Sequence, residues 1–353
     1  MMQPVYINQI ASIHAEAGVC KEEASVCKEE IATQKSELPY LSACEPDYKS
    51  IITNATLRRR MSRIIKMGVA CGLECIESIP SEEVNAIITA TGLGCLADTE
   101  KFLNSIIENK EQLLNPTPFI QSTFNTIGAQ IALIRQIHAY NMTYVHRGLS
   151  FESALLDGIM KIWEGNKNVL VGAIDEITPN SHAIQQRLGL LKDIQAGEGA
   201  QFFLLGHQQT ISTFAELIGV TTFLHATSSE EVTGQIHRFL QQHQLTPAQI
   251  DWFITGKNGN PKEDALYIEL ESNLFPSARW STFKDECGEY PTASSYAVWK
   301  VAKTFSEDTA SETENTSSET EVTALETATP EKVALIYNHY HFANHSLILI
   351  RQK

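Results

Sequence analysis

No run of eighteen apolar residues occurs in this 353-residue chain, so a membrane-spanning helix is not expected. Basic residues are scarce. The 27 Lys and Arg stand against 42 Asp and Glu, a net charge of −15 that disfavours nucleic acid or an anionic membrane as partner. The opening MMQPVYINQIASIHAE lacks a basic stretch followed by an apolar core, which argues against a secretory signal; its alternation reads as a strand from about residue 4. Cysteines number seven, an odd count that excludes a fully paired disulfide framework and favours a reducing, cytoplasmic setting. Large apolar side chains are nearly missing from 306–331, SEDTASETENTSSETEVTALETATPE, which holds eight acids and no Lys or Arg. About half of the net charge is therefore local, and the stretch reads as a disordered surface insertion.

What is present is the composition of a soluble globular protein, 43% hydrophobic and 20% charged. Strand and helix patterns alternate. VYINQIAS (5–12) reads as a strand, and 57–79 as one long helix with Met61, Ile64, Ile65, Val69, Leu73 and Ile76 at helical spacing. NAIITATGLGC (85–95) is a buried strand entering a glycine turn. A helix (124–139), a strand (142–148), a helix closed by Gly165 and the apolar strand NVLVGAI (168–174) follow. GAQFFLLG (199–206) and LIGVTTFLHA (217–226) read as paired strands. Further helices and strands lead to the closing strands 333–339 and 345–352. The grammar is α/β with parallel sheets covered by helices, in two similar halves, 1–180 and 181–353. The first half carries a polar insertion at about 19–45, where VCKEE occurs twice and places Cys20 and Cys27 on one helical face; their spacing does not suit a metal pair.

Chemistry concentrates in a few stretches. WEGNKNVLVGAIDE (163–176) is a helix end, a glycine and an apolar strand, preceded by YVHRGLSFE (144–152). GKNGNPKED (256–264) follows the strand DWFIT, and KDECGEYPTAS (284–294) opens a helix. NHYHFANHS (338–346) separates the closing strands. AGEGA (196–200), TPFIQSTFN (117–125) and Gly92-Leu93-Gly94 complete the set. In this order and spacing the stretches resemble the β-ketoacyl-ACP synthase family of the thiolase superfamily. HRGLSFESALLDG and KNGNPKEDALY look like the short ketosynthase-like and chain length factor proteins of bacterial aryl-polyene and flexirubin-type pigment clusters.

The resemblance implies a thiolase-like fold, two βαβαβ halves stacked as α-β-α-β-α layers, without cofactor or metal. It also implies a cysteine nucleophile at a helix N-terminus and two histidines that polarise a thioester carbonyl. Counting along the motifs puts Gly148 in the cysteine's place, Gly256 in that of the first histidine and Glu289 in that of the second. A carboxylate at 289 repels an enolate instead of stabilising it. Lys284 and Asp264 keep the identities of the family's neighbouring residues. Ser150 reads as a helix cap, since no GxSxG elbow surrounds it, and Lys257 as part of a turn; both are weak candidates for chemistry. His339, His341 and His345 invite a metal reading, but no Cys, Asp or Glu adjoins them.

By resemblance the chain is expected to be a condensing-enzyme homologue without the Cys-His-His triad. Its partners would be a ketosynthase (heterodimer) or a second copy (homodimer), and an acyl carrier protein. The alternatives are an active synthase or acyltransferase with a remodelled site, and a non-enzymatic thiolase-fold binding protein.

Overall fold

A computed structural model describes residues 3–15, 39–316 and 331–353. The VCKEE duplication with Cys20 and Cys27, and 317–330 of the acidic stretch, lie outside the described residues.

The chain begins with β1 (Tyr6–His14), the short helices α1 (Tyr48–Ile51) and α2 (Ala55–Arg60), and α3 (Arg63–Cys75). The helix expected over 57–79 is thus two: Met61 is extended at ψ 134° and drops into the core, and Ser62 starts α3 afresh. Next come β2 (Ala86–Ala90), α4 (Leu96–Glu108), α5 (Pro116–Gln121), α6 (Thr126–Arg135), β3 (Tyr140–Tyr144), α7 (Ser150–Trp163) and β4 (Asn168–Asp175). They are followed by α8 (Pro179–Arg187), β5 (Gly199–Gly206), β6 (Ala215–Leu224), α9 (Ser229–Gln242), β7 (Trp252–Thr255) and α10 (Pro261–Asn273). The chain closes with β8 (Arg279–Thr282), α11 (Lys284–Cys287), α12 (Ser294–Thr316), β9 (Val333–Tyr340) and β10 (Asn344–Arg351).

The strands join in the order β3-β2-β4-β5-β1-β6-β10-β9-β7-β8. Read inward from either edge the order is the same, so β1–β5 and β6–β10 are repeats of one unit that meet at a short antiparallel contact, Tyr6 with Glu216 and Ile7 with Ala215. The topological repeat therefore falls between Gly206 and Ala215, and the division read near residue 180 lies inside its first unit. Strands β5 and β6 are not paired as expected, because β1 lies between them. Pairing is parallel in the outer triplets β3-β2-β4 and β9-β7-β8, and antiparallel in the middle.

The layers follow from where apolar faces meet. Helices α3 and α6 cover one face of the first unit, closing a core with Ile64, Met67, Cys71, Ile131 and Phe202. Helices α9 and α10 cover the far face of the second, around Ile236, Phe253, Tyr267 and Leu335. Between the units lie α7 and α12, packed by Phe151, Leu155, Tyr296 and Val301 against both sets of strands. This is the α-β-α-β-α stack.

The acidic stretch does not start at 306 as a loop; α12 continues through it to Thr316. Tertiary contacts supply what its composition lacks. The Thr309 hydroxyl donates to the carbonyls of Phe305 and Lys353, Gln352 reaches Phe305 O and Thr309, and Lys332 pairs with Asp308 at 3.0 Å.

The turn 196–198 and the end of α11 fit backbone to backbone. Gly197 N donates to Glu289 O and Glu289 N to Gln195 O, and a Cβ on Gly197 would stand 1.9 Å from Cys287 O. Gly197→Ala is therefore expected to cost about 3 kcal/mol or more, since backbone must move. Gly165→Ala faces open space at φ +98° and should cost only about 1–2 kcal/mol of backbone strain. Denaturant unfolding of the two variants checks the contrast.

Candidate functional site

Positions 148, 256 and 289, which the resemblance assigns to the catalytic residues, lie where loops of the two units face each other. The turn between β3 and α7 carries Gly148, buried, behind Arg147 at φ +51°. A Cβ on Gly148 would stand 2.5 Å from Tyr340 Cβ and 2.7 Å from its Cγ. Tyr340, at the end of β9, thus fills the space into which a nucleophile at 148 would project. The hairpin that presents it contains no glycine, yet His341 and Phe342 adopt φ +52° and +53°. Ser150 is not the N-cap expected. It is the first residue of α7, its hydroxyl donating to Arg147 O and accepting from His146 N, both at 2.8 Å. A hydroxyl spent on the preceding turn has no base to activate it.

Gly256 leaves no room for an imidazole either: a Cβ there would meet Asn338 Oδ1 at 2.2 Å and the Tyr267 hydroxyl at 2.9 Å. Asp264 holds the following loop, its carboxylate accepting from Asn258 N at 3.0 Å and Gly259 N at 3.1 Å. Lys257 points the other way, into an ion pair with Glu271 on α10 at 2.7 Å.

Glu289 is buried and paired. Its Oε2 accepts from Lys284 Nζ at 2.7 Å and from Asn258 Nδ2 at 3.0 Å, and Lys284 also donates to His339 O. Both charges are almost fully removed from water. Asn258 links on to Glu263, which faces His341 Nδ1 at 3.6 Å and His339 Nδ1 at 3.9 Å. Burial raises the Glu263 carboxyl, but His341 and Asn258 outweigh it and hold the group below its ordinary value. The His339 ring stacks between Tyr267 (centroids 4.7 Å apart) and Phe342 (4.6 Å), and its ring nitrogens have no hydrogen-bond partner among the described residues. Burial, helped by the Lys284 charge, lowers its pKa to about 3, so it is neutral. Cys287 is buried, and that burial pushes its thiol well above the usual range. No group of three or more His, Cys, Asp or Glu able to hold a metal occurs among the described residues, and no helix among them is long and apolar enough to cross a membrane.

Two carboxylates within the stretches 163–176 and 196–200, to which the sequence assigned no role, complete the seam. Asp175, at the end of β4, accepts from Thr91 Oγ1, Gly92 N, Leu93 N, and the amide and hydroxyl of Thr292, tying the units together; burial nonetheless raises its pKa. Glu198, from the 196–200 turn, accepts from Arg63 at 2.7 and 2.5 Å, from Ser42 Oγ and from the amides of Ala43 and Ile177. Burial opposes ionisation there, but Arg63 prevails and keeps the group below its ordinary value. These acids, with Tyr340 and Asn258, stand at strand ends and glycine turns, and that placement was the one available signal. The cavity among Leu93, Glu176, Glu289, Tyr290, Tyr340 and His341 has a volume of about 10 Å³, at most a single water molecule.

Residues 33–213, just over half of the chain, match the family model described as β-ketoacyl synthase, N-terminal domain. Among solved structures, the ishigamide ketosynthase/chain length factor is similar at a TM-score of 0.74 and 13% identity, with 99% of each chain covered. A chain of AntDE:AntF, a type II PKS acyl-carrier protein in complex with its ketosynthase bound to the hexaketide, has a TM-score of 0.74 at 13% identity, over 99% of this chain and 100% of that one. A β-ketoacyl synthase from Burkholderia phymatum STM815 has a TM-score of 0.72 at 13% identity, with both chains fully covered. At such identities these likenesses speak for the fold. No curated protein matches the sequence.

Lys284→Met leaves the buried Glu289 carboxyl without its cation, and is expected to destabilise the protein by about 3–5 kcal/mol; adding Glu289→Gln should recover most of that, as read by denaturant unfolding. His339 contributes a pH dependence of known sign. The unfolded chain protonates it at 6.5, the folded chain only near 3, so its contribution is complete above pH 6.5 and is lost as pH falls toward 3. His339→Phe keeps the stacking and should remove roughly 3–5 kcal/mol of acid sensitivity from that window, measured by unfolding at successive pH values.

Proposed function

The chain belongs to the β-ketoacyl synthase family, and we propose from that premise that it supports condensation as a partner subunit and does not catalyse it. The observation that carries this reading is Tyr340 packed onto Gly148, where the nucleophile would stand. The rest of the site agrees with it. The place of one histidine is taken by Asn338 and Tyr267, and that of the other by a carboxylate locked to Lys284. A cavity of about 10 Å³ admits no acyl chain. Remodelled chemistry finds little support, since Ser150 is bound to backbone, Lys257 to Glu271 and Glu289 to Lys284.

The surface supports pairing. β3 is an open sheet edge carrying exposed Met142, and the adjoining α7 exposes Leu156, Met160 and Trp163 at helical spacing. Leu103, Ile107, Phe119 and Ile120 of α4 and α5 are exposed as well. Such apolar area suits a permanent protein partner. The role is that of a chain length factor in fatty acid or polyketide biosynthesis of the aryl-polyene type, beside an active ketosynthase and an acyl carrier protein. A chain length factor and an acyl-carrier protein complex among the structural neighbours fit this assignment.

The test is co-expression with a ketosynthase that retains Cys, His and His. Co-purification as a heterodimer, with no acyl adduct on this chain by intact mass spectrometry, is the expected result. Condensation of acyl and malonyl carrier proteins by the purified chain alone would overturn the reading. Gly148→Cys should gain no acyl adduct, because Tyr340 covers the position, and should lose about 1–3 kcal/mol to overpacking, measurable by thermal unfolding.

A further inference from the structure

Helices α9 and α10 cover the outer face of the second unit, and each is fixed to the core by its own apolar stripe. Val232, Ile236, Phe239 and Leu240 anchor α9, and Leu266, Tyr267 and Leu270 anchor α10. Beside these stripes a groove of about 370 Å³ runs between the two helices, the size of a small-molecule site and far larger than the cavity at the seam. Its α9 wall carries Glu230, Gly234 and His237. Gly234 keeps the middle open, since a Cβ there would meet nothing within 4 Å. On the α10 side Leu270, buried, and Leu274, half-buried, give it an apolar floor beside Glu269.

The charge of this groove has one sign. Glu230 stands in the first turn of α9, where its own amide and the Ser228 hydroxyl hold its carboxyl below its ordinary value. Ser229 Oγ donates to Glu269 Oε1 at 2.6 Å, which fixes that carboxylate from across the groove and leaves Oε2 free among the described residues. No Lys or Arg lines the groove, and neither carboxylate meets a cation among the described residues. Arg238, the one Lys or Arg of α9, is bonded to Gln235 at 3.2 Å, and Lys262 stands in the first turn of α10, two turns before Glu269. The end of α10 adds to the negative potential. The carbonyls of Glu271, Ser272 and Asn273 accept no hydrogen bond among the described residues, and the last turn holds no basic residue. The negative end of the peptide dipoles is thus unopposed at Asn273 and Leu274, which line the groove.

We propose that this groove binds an alkylammonium ion, a primary amine carried on a hydrocarbon stem. The ammonium donates to Glu269 Oε2 and to Glu230, and the stem lies along Leu270 and Leu274 in the space that Gly234 leaves open. The ionised groups do not converge closely enough to hold a metal ion. An anion of the same length would meet two carboxylates, and a neutral alcohol would leave both of them without a counter-charge. None of positions 148, 256 and 289 lines the groove, and the proposal does not depend on the partner reading.

Ligand-observed NMR titration of the full chain with hexylammonium, hexanol and hexanoate reads this directly. Hexylammonium should bind saturably and about tenfold more tightly than hexanol, and hexanoate should not bind. Glu230→Gln and Glu269→Gln should each weaken hexylammonium about fivefold. Gly234→Leu fills the groove and should abolish binding without lowering the midpoint of thermal unfolding, because the space is open and leucine is the better helix former. Equal binding of alcohol and ammonium, binding unchanged in Glu269→Gln or Gly234→Leu, or no saturable binding at all would overturn the site.

Discussion

A lysine and a glutamate, both almost wholly out of water, meet at 2.7 Å where the two units of the fold face each other. Burying such charges is costly unless each is neutralised and its remaining hydrogen-bonding capacity is used. Lys284 donates to Glu289 and His339 O, and Glu289 Oε2 accepts from Lys284 and Asn258, while Glu289 Oε1 is buried without a hydrogen-bond partner among the described residues. The pair sits at 284–289 because Gly197 and Gly288 allow the 196–198 turn to approach α11 closely enough for backbone pairing. Asn258 carries the connection to Glu263 and the 338–342 hairpin end. Loop 256–264, α11, and the β9–β10 hairpin are therefore joined through one buried charge pair.

The same interlocking explains why the site is closed. A condensing centre needs a nucleophile free on one side and donors free on the other, all facing a cavity. Each of the places that the resemblance assigns to them is occupied from within. Tyr340 stands on Gly148, Asn338 and Tyr267 on Gly256, and Lys284 consumes the carboxylate at 289. These occupants come from β9, α10 and α11, so reopening one place leaves the others filled. Local polarity remains high, yet it is directed inward to hold the seam.

The fold was legible to the extent that local pattern is sufficient. Strands such as 168–175 and 199–206 are apolar along their length because both faces are covered, and their periodicity announces them. Reading β5 with β6 failed because β1, some two hundred residues away in sequence, is inserted between them; strand order is a long-range property. The single helix over 57–79 failed at Met61, whose apolar spacing is compatible with a helix but whose burial is reached by an extended residue. The helix through 306–316 went unseen because its stabilising partners, Lys332, Gln352 and Lys353, are strand-end residues brought close by the fold. Ser150 was placed near its turn but given the wrong bond, since capping and turn-closing serines look alike in sequence.

By itself the sequence determined the residue types at the places that the resemblance assigns to chemistry: glycine at 148 and 256, glutamate at 289, and no cysteine near the first. Covalent identity is local, so which residue types stand at those positions needs no coordinates to be known. Only the tertiary structure decided what became of the vacated space. Whether Gly148 borders an open pocket or the ring of Tyr340, whether Lys257 reaches the site or Glu271, and whether Glu289 is a free charge or half of an ion pair all depend on side chains far apart in the chain. Packing density and buried-charge compensation act across those distances, and no window of sequence contains both partners.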